Sequence, residues 1–400
     1  MKKRIMMVMP VMKGGGAERV ASLLMNEFHR CGYEVSFVLT SCKAEEVVRT
    51  DLDEEIPLIL LQEQLNKKKG TIDIWMKVLR VISSALCKPF EKAGIDVPAY
   101  FAYLSFISQY RKEITYLSQV MEKDSDLTVI TFLQPSIPMV ALAGKGLPNK
   151  IIFSERGNPD RLMKQRYGKN FVEKYYGEIS KVVFQTNDAK KAYPANIASK
   201  GVIIPNPIKE YLPEPYVGER NKYITTFCRI SLQKNLPMLV NAFALLHEEY
   251  PEYILKIIGD TFNEEGEIVK KNLEKQIKDL GIEQNVMFLP FCKNVHEEII
   301  KDAMYVNSSD YEGMSNAMLE AMAIGMPVVC TDCPIGGAKD IIKHEVNGIL
   351  VETGNREDMY CGMKRIVESQ KFANELSQEA VKIRDELALI RIAKQWMELC

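Results

Sequence analysis

Asp310-Tyr311-Glu312-Gly313-Met314-Ser315-Asn316-Ala317-Met318-Leu319-Glu320 places two carboxylates eight positions apart, around residues that can start a helix. Ser315 or Asn316 can cap that helix by accepting hydrogen bonds from its first amides. The amides from Ser315 to Met318 then form a positive pole suited to an anion. Glu312 in the loop and Glu320 about one turn into the helix could hold the hydroxyls of a sugar or a ribose. Simpler roles also exist for these residues. A carboxylate near a helix start is stabilised by the dipole, and Ala317, Ala321 and Ala323 suit close packing.

Two further stretches carry related chemistry. Arg229-Ile230-Ser231-Leu232-Gln233-Lys234 follows a strand pattern and supplies two cations able to neutralise a diphosphate, unless they only solvate a loop. Lys13-Gly14-Gly15-Gly16 lies between a strand and a helix pattern, where glycine lets backbone amides approach a phosphate. It matches neither G-x-G-x-x-G nor G-x-x-x-x-G-K-[ST], and it serves equally as a tight strand-to-helix turn. Other motifs have plainer explanations. Asp51-Leu52-Asp53 and Asp124-Ser125-Asp126 spell D-x-D, but turn chemistry accounts for both. Cys330-Thr331-Asp332-Cys333 has no second cysteine pair, and the four histidines have no ligand spacing, so no metal site is expected.

These stretches must be positioned by a fold. With 400 residues, 46% hydrophobic and 26% charged, the chain has the composition of a soluble globular protein of two or three domains. The net charge of −1 gives no basic field for nucleic acid. Nine cysteines without framework spacing read as a reduced, cytosolic protein. Pro10 and Lys13 interrupt the apolar N-terminus, which reads as a strand rather than a leader, and no 18-residue apolar run is present. Strand patterns fall at Arg4–Met9, 33–40, 127–132, 151–154 and 181–185. A second series falls at 223–228, 253–258, 285–289, 303–308, 327–330 and 348–351, with helical patterns between them. This alternation predicts two doubly wound parallel sheets, with ligands at the carboxyl ends of the strands in a cleft between domains. Pro205-Asn206-Pro207 marks the boundary. The expected division is 1–206 with a helical insertion at about 62–124, then 207–385, then a helix at 386–400 that can pack back on the first domain.

The combination resembles the retaining glycosyltransferases of family 4. Glu312 and Glu320 match its E-x7-E within E-G-M-S-N-A-M-L-E-A-M-A-x-G-x-P-V-V, and Arg229 and Lys234 match its R-x4-K. Gly259, Gly336-Gly337 and Asn347-Gly348 match its glycine turns, and Gly14 to Val20 its G-G-A-E-R-V. The stretch Ile152 to Pro159, with Glu155-Arg156, is similar to members that build bacterial surface polysaccharides. The resemblance covers residues 1–40 and about 127–360. It implies the GT-B fold, α/β with two Rossmann-like domains. It also implies a nucleotide-sugar donor held mostly by the second domain and an acceptor held by the first.

By the same resemblance Glu320 holds the donor ribose, Glu312 contacts the transferred sugar, and Arg229 with Lys234 meets the diphosphate. Gly15, Gly16, Gly259, Met314, Ser315, Asn316 and Ala317 border the donor. Two departures stand out. Cys228 occupies a position where the family usually has glycine, and the first domain has only His29 where members often place a histidine near the reacting carbon. Glu155 and Arg156 fill an equivalent loop, either on the acceptor side or as a structural ion pair.

The expected activity is therefore retaining transfer of a hexose or N-acetylhexosamine from a nucleotide diphosphate, UDP by preference. The acceptor is expected to be lipid-linked or a polysaccharide, with no metal or other cofactor. A nucleotide-sugar epimerase and a non-catalytic sugar-binding subunit are the alternatives. Trp75, Leu79, Ile82 and Leu86 form a stripe beside Lys77, Arg80 and Lys88, just after Lys67-Lys68-Lys69. That segment could lie peripherally on an anionic lipid surface, or serve as a lid or core helix.

Overall fold

Runs of buried aliphatic and methionine side chains build the two sheets of this protein. The computed structural model describes residues 3–49, 51–67, 74–216, 218–292 and 294–400. The chain divides into two compact units: Met1–Pro207 with Leu389–Cys400, and Ile208–Ala388.

The first unit holds β1 (Arg4–Met9), β2 (Glu34–Leu39), β3 (Leu58–Leu60), β4 (Thr128–Phe132), β5 (Ile151–Ser154), β6 (Lys181–Phe184) and β7 (Gly201–Ile203). They form one sheet in the order β3-β2-β1-β4-β5-β6-β7, and every pairing is parallel. Parallel neighbours require a crossover, usually a helix. The first crossover is Gly16–Arg30, which buries Val20, Ala21, Leu24, Met25 and Phe28 at helical spacing. Two three-residue edge strands, β3 and β7, were not evident as strand patterns. Too few residues are present for alternation to show.

The break in rhythm after residue 62 is helical, as its patterning indicates. Ile74–Ala93 and Ala99–Glu122 are long helices that pack on one another between β3 and β4. The second is kinked at Tyr110, whose φ of −118° and ψ of 17° lie outside the helical region. Lys68 and Lys69, part of the cationic run noted above, lie outside the described residues. The last helix, Leu389–Met397, joins the first unit, where it packs on Gly16–Arg30 and brings Trp396 against Phe132 at 5.7 Å.

The second unit holds β8 (Asn221–Phe227), β9 (Ile254–Ile258), β10 (Val286–Leu289), β11 (Asp302–Asn307), β12 (Val328–Thr331) and β13 (Ile349–Val351). Their order is β10-β9-β8-β11-β12-β13, again wholly parallel. Its core gathers Ile224, Leu255, Ile257, Met304, Val306 and Val329 from the strands with Leu239 and Phe243 from the helix Leu236–Glu249. Strand order reverses between β8 and β11, which makes their carboxyl ends the topological switch point where ligands of such sheets bind. The doubly wound α/β reading thus holds for both sheets. Among the described residues, no helix is long and apolar enough to cross a membrane.

Candidate active site

The switch point of the second unit is where the predicted residues of that unit meet. Arg229 lies two residues beyond β8, Gly259 directly beyond β9, and Glu312 five residues beyond β11. The loop after β8 is sewn to the loop after β11. Asp310 N–H donates to the Gln233 carbonyl at 3.0 Å, Ser308 Oγ to the Lys234 carbonyl at 2.8 Å, and Gln233 Nε2 to the Tyr311 carbonyl at 2.9 Å. Asn235 turns the chain in a left-handed conformation, caps the helix Leu236–Glu249 with Oδ1, and donates through Nδ2 to Asp310 Oδ1 at 2.6 Å.

Those bonds bring Lys234 and Glu312 into a mostly buried ion pair, with side chains 15% and 14% exposed. Ser309 Oγ at 2.9 Å and Gln233 Nε2 at 3.3 Å also donate to the Glu312 carboxylate. Burial opposes the charge on Lys234, but Glu312 more than offsets it, and the lysine pKa is raised overall. Lys234 therefore stays protonated at neutral pH beside Glu312. Arg229 is exposed beside it and forms no ion pair with a described residue. Cys228, where glycine was expected, has its thiol pKa raised by burial. A thiol held neutral adds no charge to the site.

Gly259 shows why glycine stands there. Its φ is +150°, and a Cβ at this position would meet the Cys228 carbonyl oxygen at 1.9 Å. The end of β9 thus rests directly on the backbone that carries Arg229. Gly336 and Gly337 allow a similar approach. A Cβ on Gly336 would lie 2.6 Å from the Cys333 carbonyl, and one on Gly337 would press on the Met314 side chain.

The helix Asn316–Ala323 begins as its sequence indicates. Ser315 is the cap, its Oγ accepting from Met318 N–H at 3.3 Å. The Ala317 amide has no acceptor among the described residues. Met314 and Ser315 are buried, while Asn316 and Ala317 are partly exposed. Glu320 sits one turn in, 5% exposed, and its Oε2 meets His296 Nε2 at 2.8 Å. His296 is itself buried, with Phe227 edge-on at 5.6 Å. Spacing gave no hint of His296, because it reaches Glu320 from the separate short helix Val295–Ile299. Its isolation from other histidines argued only against a metal.

Gly15, Gly16, Glu155 and Arg156 belong to the first unit. There the glycine loop already holds a carboxylate. Glu18 Oε2 accepts from Lys13 N–H at 2.6 Å and Gly15 N–H at 2.7 Å. The Gly15 amide is therefore engaged by Glu18 rather than open to a donor phosphate. The signal was present in the sequence, since Glu18 stands at the third helical position, where a side chain reaches back to the cap.

Glu155 and Arg156 form no direct side-chain salt bridge with one another, although each charge favours the other. Glu155 Oε1 accepts from the amides of Arg156 at 2.9 Å and Gly157 at 2.7 Å, and Tyr193 Oη donates to its other oxygen. Burial nonetheless pushes the Glu155 pKa up. Arg156 lies over the Phe132 ring at 4.4 Å and donates to Asn206 Oδ1. Its Nε and Nη2 are buried without a hydrogen-bond partner, and burial pushes its pKa down to about 9.

Comparison with known proteins bears on the family and the fold. Residues 209–383 match the family described as glycosyl transferases group 1. A glycosyltransferase of Haemophilus influenzae is 24% identical over 401 residues, covering 99% of both chains. The N-acetylgalactosamine-N,N'-diacetylbacillosaminyl-diphospho-undecaprenol 4-alpha-N-acetylgalactosaminyltransferase of Campylobacter jejuni is 30% identical over 184 residues, 45% of this chain and 48% of that one. The crystal structure of Anabaena HepE in complex with UDP superposes with a TM-score of 0.75 at 18% identity, covering 100% of this chain and 99% of that one. At that identity the likeness is one of fold, that of a GT-B protein with two Rossmann-like units.

Proposed function

We propose, for a chain whose residues 209–383 match the glycosyl transferases group 1 family, that it transfers a hexose or N-acetylhexosamine from a UDP-sugar with retention of configuration. The acceptor is a lipid-linked saccharide or a growing surface polysaccharide. The observation that carries the reading is the second unit's switch point. There Lys234 paired with Glu312, exposed Arg229, the start of the Asn316–Ala323 helix and Glu320 held by His296 all gather.

In this reading Arg229, Lys234 and the amides near Ala317 take the charge that develops on the leaving diphosphate. Fixed cations and dipoles aimed at that charge stabilise the transition state without moving during the reaction. Glu312 faces the transferred sugar, and Glu320 takes the ribose hydroxyls. No metal is needed when two cations already serve the diphosphate. The UDP preference is supported by the UDP bound to HepE, and the acceptor class by the lipid-diphosphate substrate in the name of the Campylobacter enzyme.

The test is incubation with a panel of UDP-sugars and lipid-diphosphate saccharides, read by mass spectrometry. An acceptor larger by one hexose or N-acetylhexosamine supports transfer. An isomerised donor without acceptor identifies an epimerase, and donor binding with no chemistry identifies a sugar-binding subunit.

A further inference from the structure

The helix Ile74–Ala93 turns an apolar face away from the protein. Its buried side is narrow: Ser83 and Cys87 are fully covered, and Met76, Leu79, Ser84 and Phe90 are partly covered. Trp75, Val78, Val81, Ile82 and Leu86 are exposed, Trp75 at 80% and Val81 at 71%. The stripe differs from the one expected, because Leu79 turns inward and Val78 and Val81 take its place outside. An indole left in water over most of its surface is unusual for a side chain of that size.

Charge accompanies this face. At about 100° per residue, Lys77, Lys88 and Lys92 fall along one flank of the apolar stripe, beside Val81. All three are exposed. The only carboxylate of the helix, Glu91, is held by Arg166 through bonds of 2.6 Å and 3.0 Å. The outward face is therefore apolar with a purely cationic margin. A helix of this kind lies in the plane of a bilayer, with its apolar side at the acyl boundary and its lysines among anionic headgroups. A tryptophan at that depth is common, since its ring suits the interface.

We propose that the outward face of Ile74–Ala93 docks the protein on an anionic lipid bilayer. This goes beyond the transfer chemistry and does not depend on it. Trp75 meets the acyl boundary, Val78, Val81, Ile82 and Leu86 follow it along the helix, and Lys77, Lys88 and Lys92 contact lipid phosphates.

The protein has two tryptophans, and Trp396 is buried, so a change in emission on adding vesicles reports Trp75. Full-length protein is mixed with phosphatidylcholine vesicles, with or without phosphatidylglycerol. Flotation and emission wavelength are read together. The expected result is flotation and a blue shift with the anionic vesicles only, weakened by salt. The triple variant Lys77→Ala, Lys88→Ala, Lys92→Ala should lower partitioning about a hundredfold. Trp75→Phe should abolish the shift while flotation persists, and Ile82→Ser with Val78→Ser should reduce flotation. All these positions are exposed, and unchanged melting curves confirm that the variants fold. Binding without a blue shift, or equal binding to neutral vesicles, overturns the proposal. So does a self-associated species in sedimentation velocity that the Val78→Ser, Ile82→Ser variant disperses, because the face would then be covered by a second copy of the chain.

Discussion

Glu312 and Glu320 are the same residue type within one loop and one helical turn, yet their surroundings differ. Glu312 faces a cation, and Glu320 faces a histidine. On the proposed reading, a ribose contact exists equally in the ground and transition states. Glu320→Gln should therefore mainly raise the donor KM. Glu312 would meet the sugar as its anomeric carbon gains positive character. Glu312→Gln should then lower kcat by roughly a hundredfold, if one charged contact is worth about 3 kcal/mol. Steady-state kinetics decide, and the opposite split would reverse the two roles.

His296 should follow Glu320. His296→Ala removes one hydrogen-bond partner of the Glu320 carboxylate, and the donor KM should rise about tenfold, with partial rescue by His296→Gln. A change confined to stability would reduce His296 to a packing residue. At this scale the sequence was informative wherever chemistry ran along the chain, as with Arg229 to Lys234 or Glu312 to Glu320. It was silent where two side chains meet through the fold, because nothing near His296 points to Glu320.

Elements hold these residues in place through backbone contact more than through side-chain bulk. Gly259 is the clearest case, since its missing Cβ lets β9 close on the Cys228 carbonyl. Gly259→Ala should destabilise the second unit by several kcal/mol, because both the contact and the positive φ resist a side chain. Denaturant unfolding measures it, and a neutral result would mean that the β9 end can move away. The other end of the sheet is held differently. Asp302, fully buried at the start of β11, receives both 3.1 Å bonds of Lys256 Nζ and a 2.6 Å bond from Thr225 Oγ1. Burial pushes its pKa up against these partners. Asp302→Ala strands the Lys256 charge and should cost about 3–5 kcal/mol. Lys256→Met in the same background should recover part of that loss. Long elements were legible because their periodicity spans several turns or alternations. The edge strands β3 and β7 were not, and nothing along the chain joins Lys256 to Asp302, because they meet only when β9 and β11 lie on either side of β8.

At the scale of the whole molecule, the chain leaves its first unit at Pro207, builds the second without interruption, and returns for its last helix. The stability of the first unit therefore depends on residues that follow the second in sequence. Leu389, Ile392, Ala393 and Trp396 are buried on that return, and Trp396 sits beside Phe132 at the end of β4, with the Arg156 guanidinium 5.8 Å from its ring. Losing one fully buried tryptophan alone costs about 3–5 kcal/mol. Truncation after Ala388 should therefore loosen Gly16–Arg30 and β4 while leaving the second unit's core intact. Hydrogen exchange read by mass spectrometry can separate the two. Peptides from 16–30 and 128–132 should lose protection, and peptides from β8, β11 and β12 should keep it. Donor binding provides the complement. On the proposed reading, a UDP-sugar should raise protection in the second unit of both full-length and truncated protein, because a ligand that binds only the folded form stabilises it. Loss of protection spread evenly over both units on truncation would show that they unfold as one, and donor-induced protection confined to the first unit would overturn the proposed place of the donor.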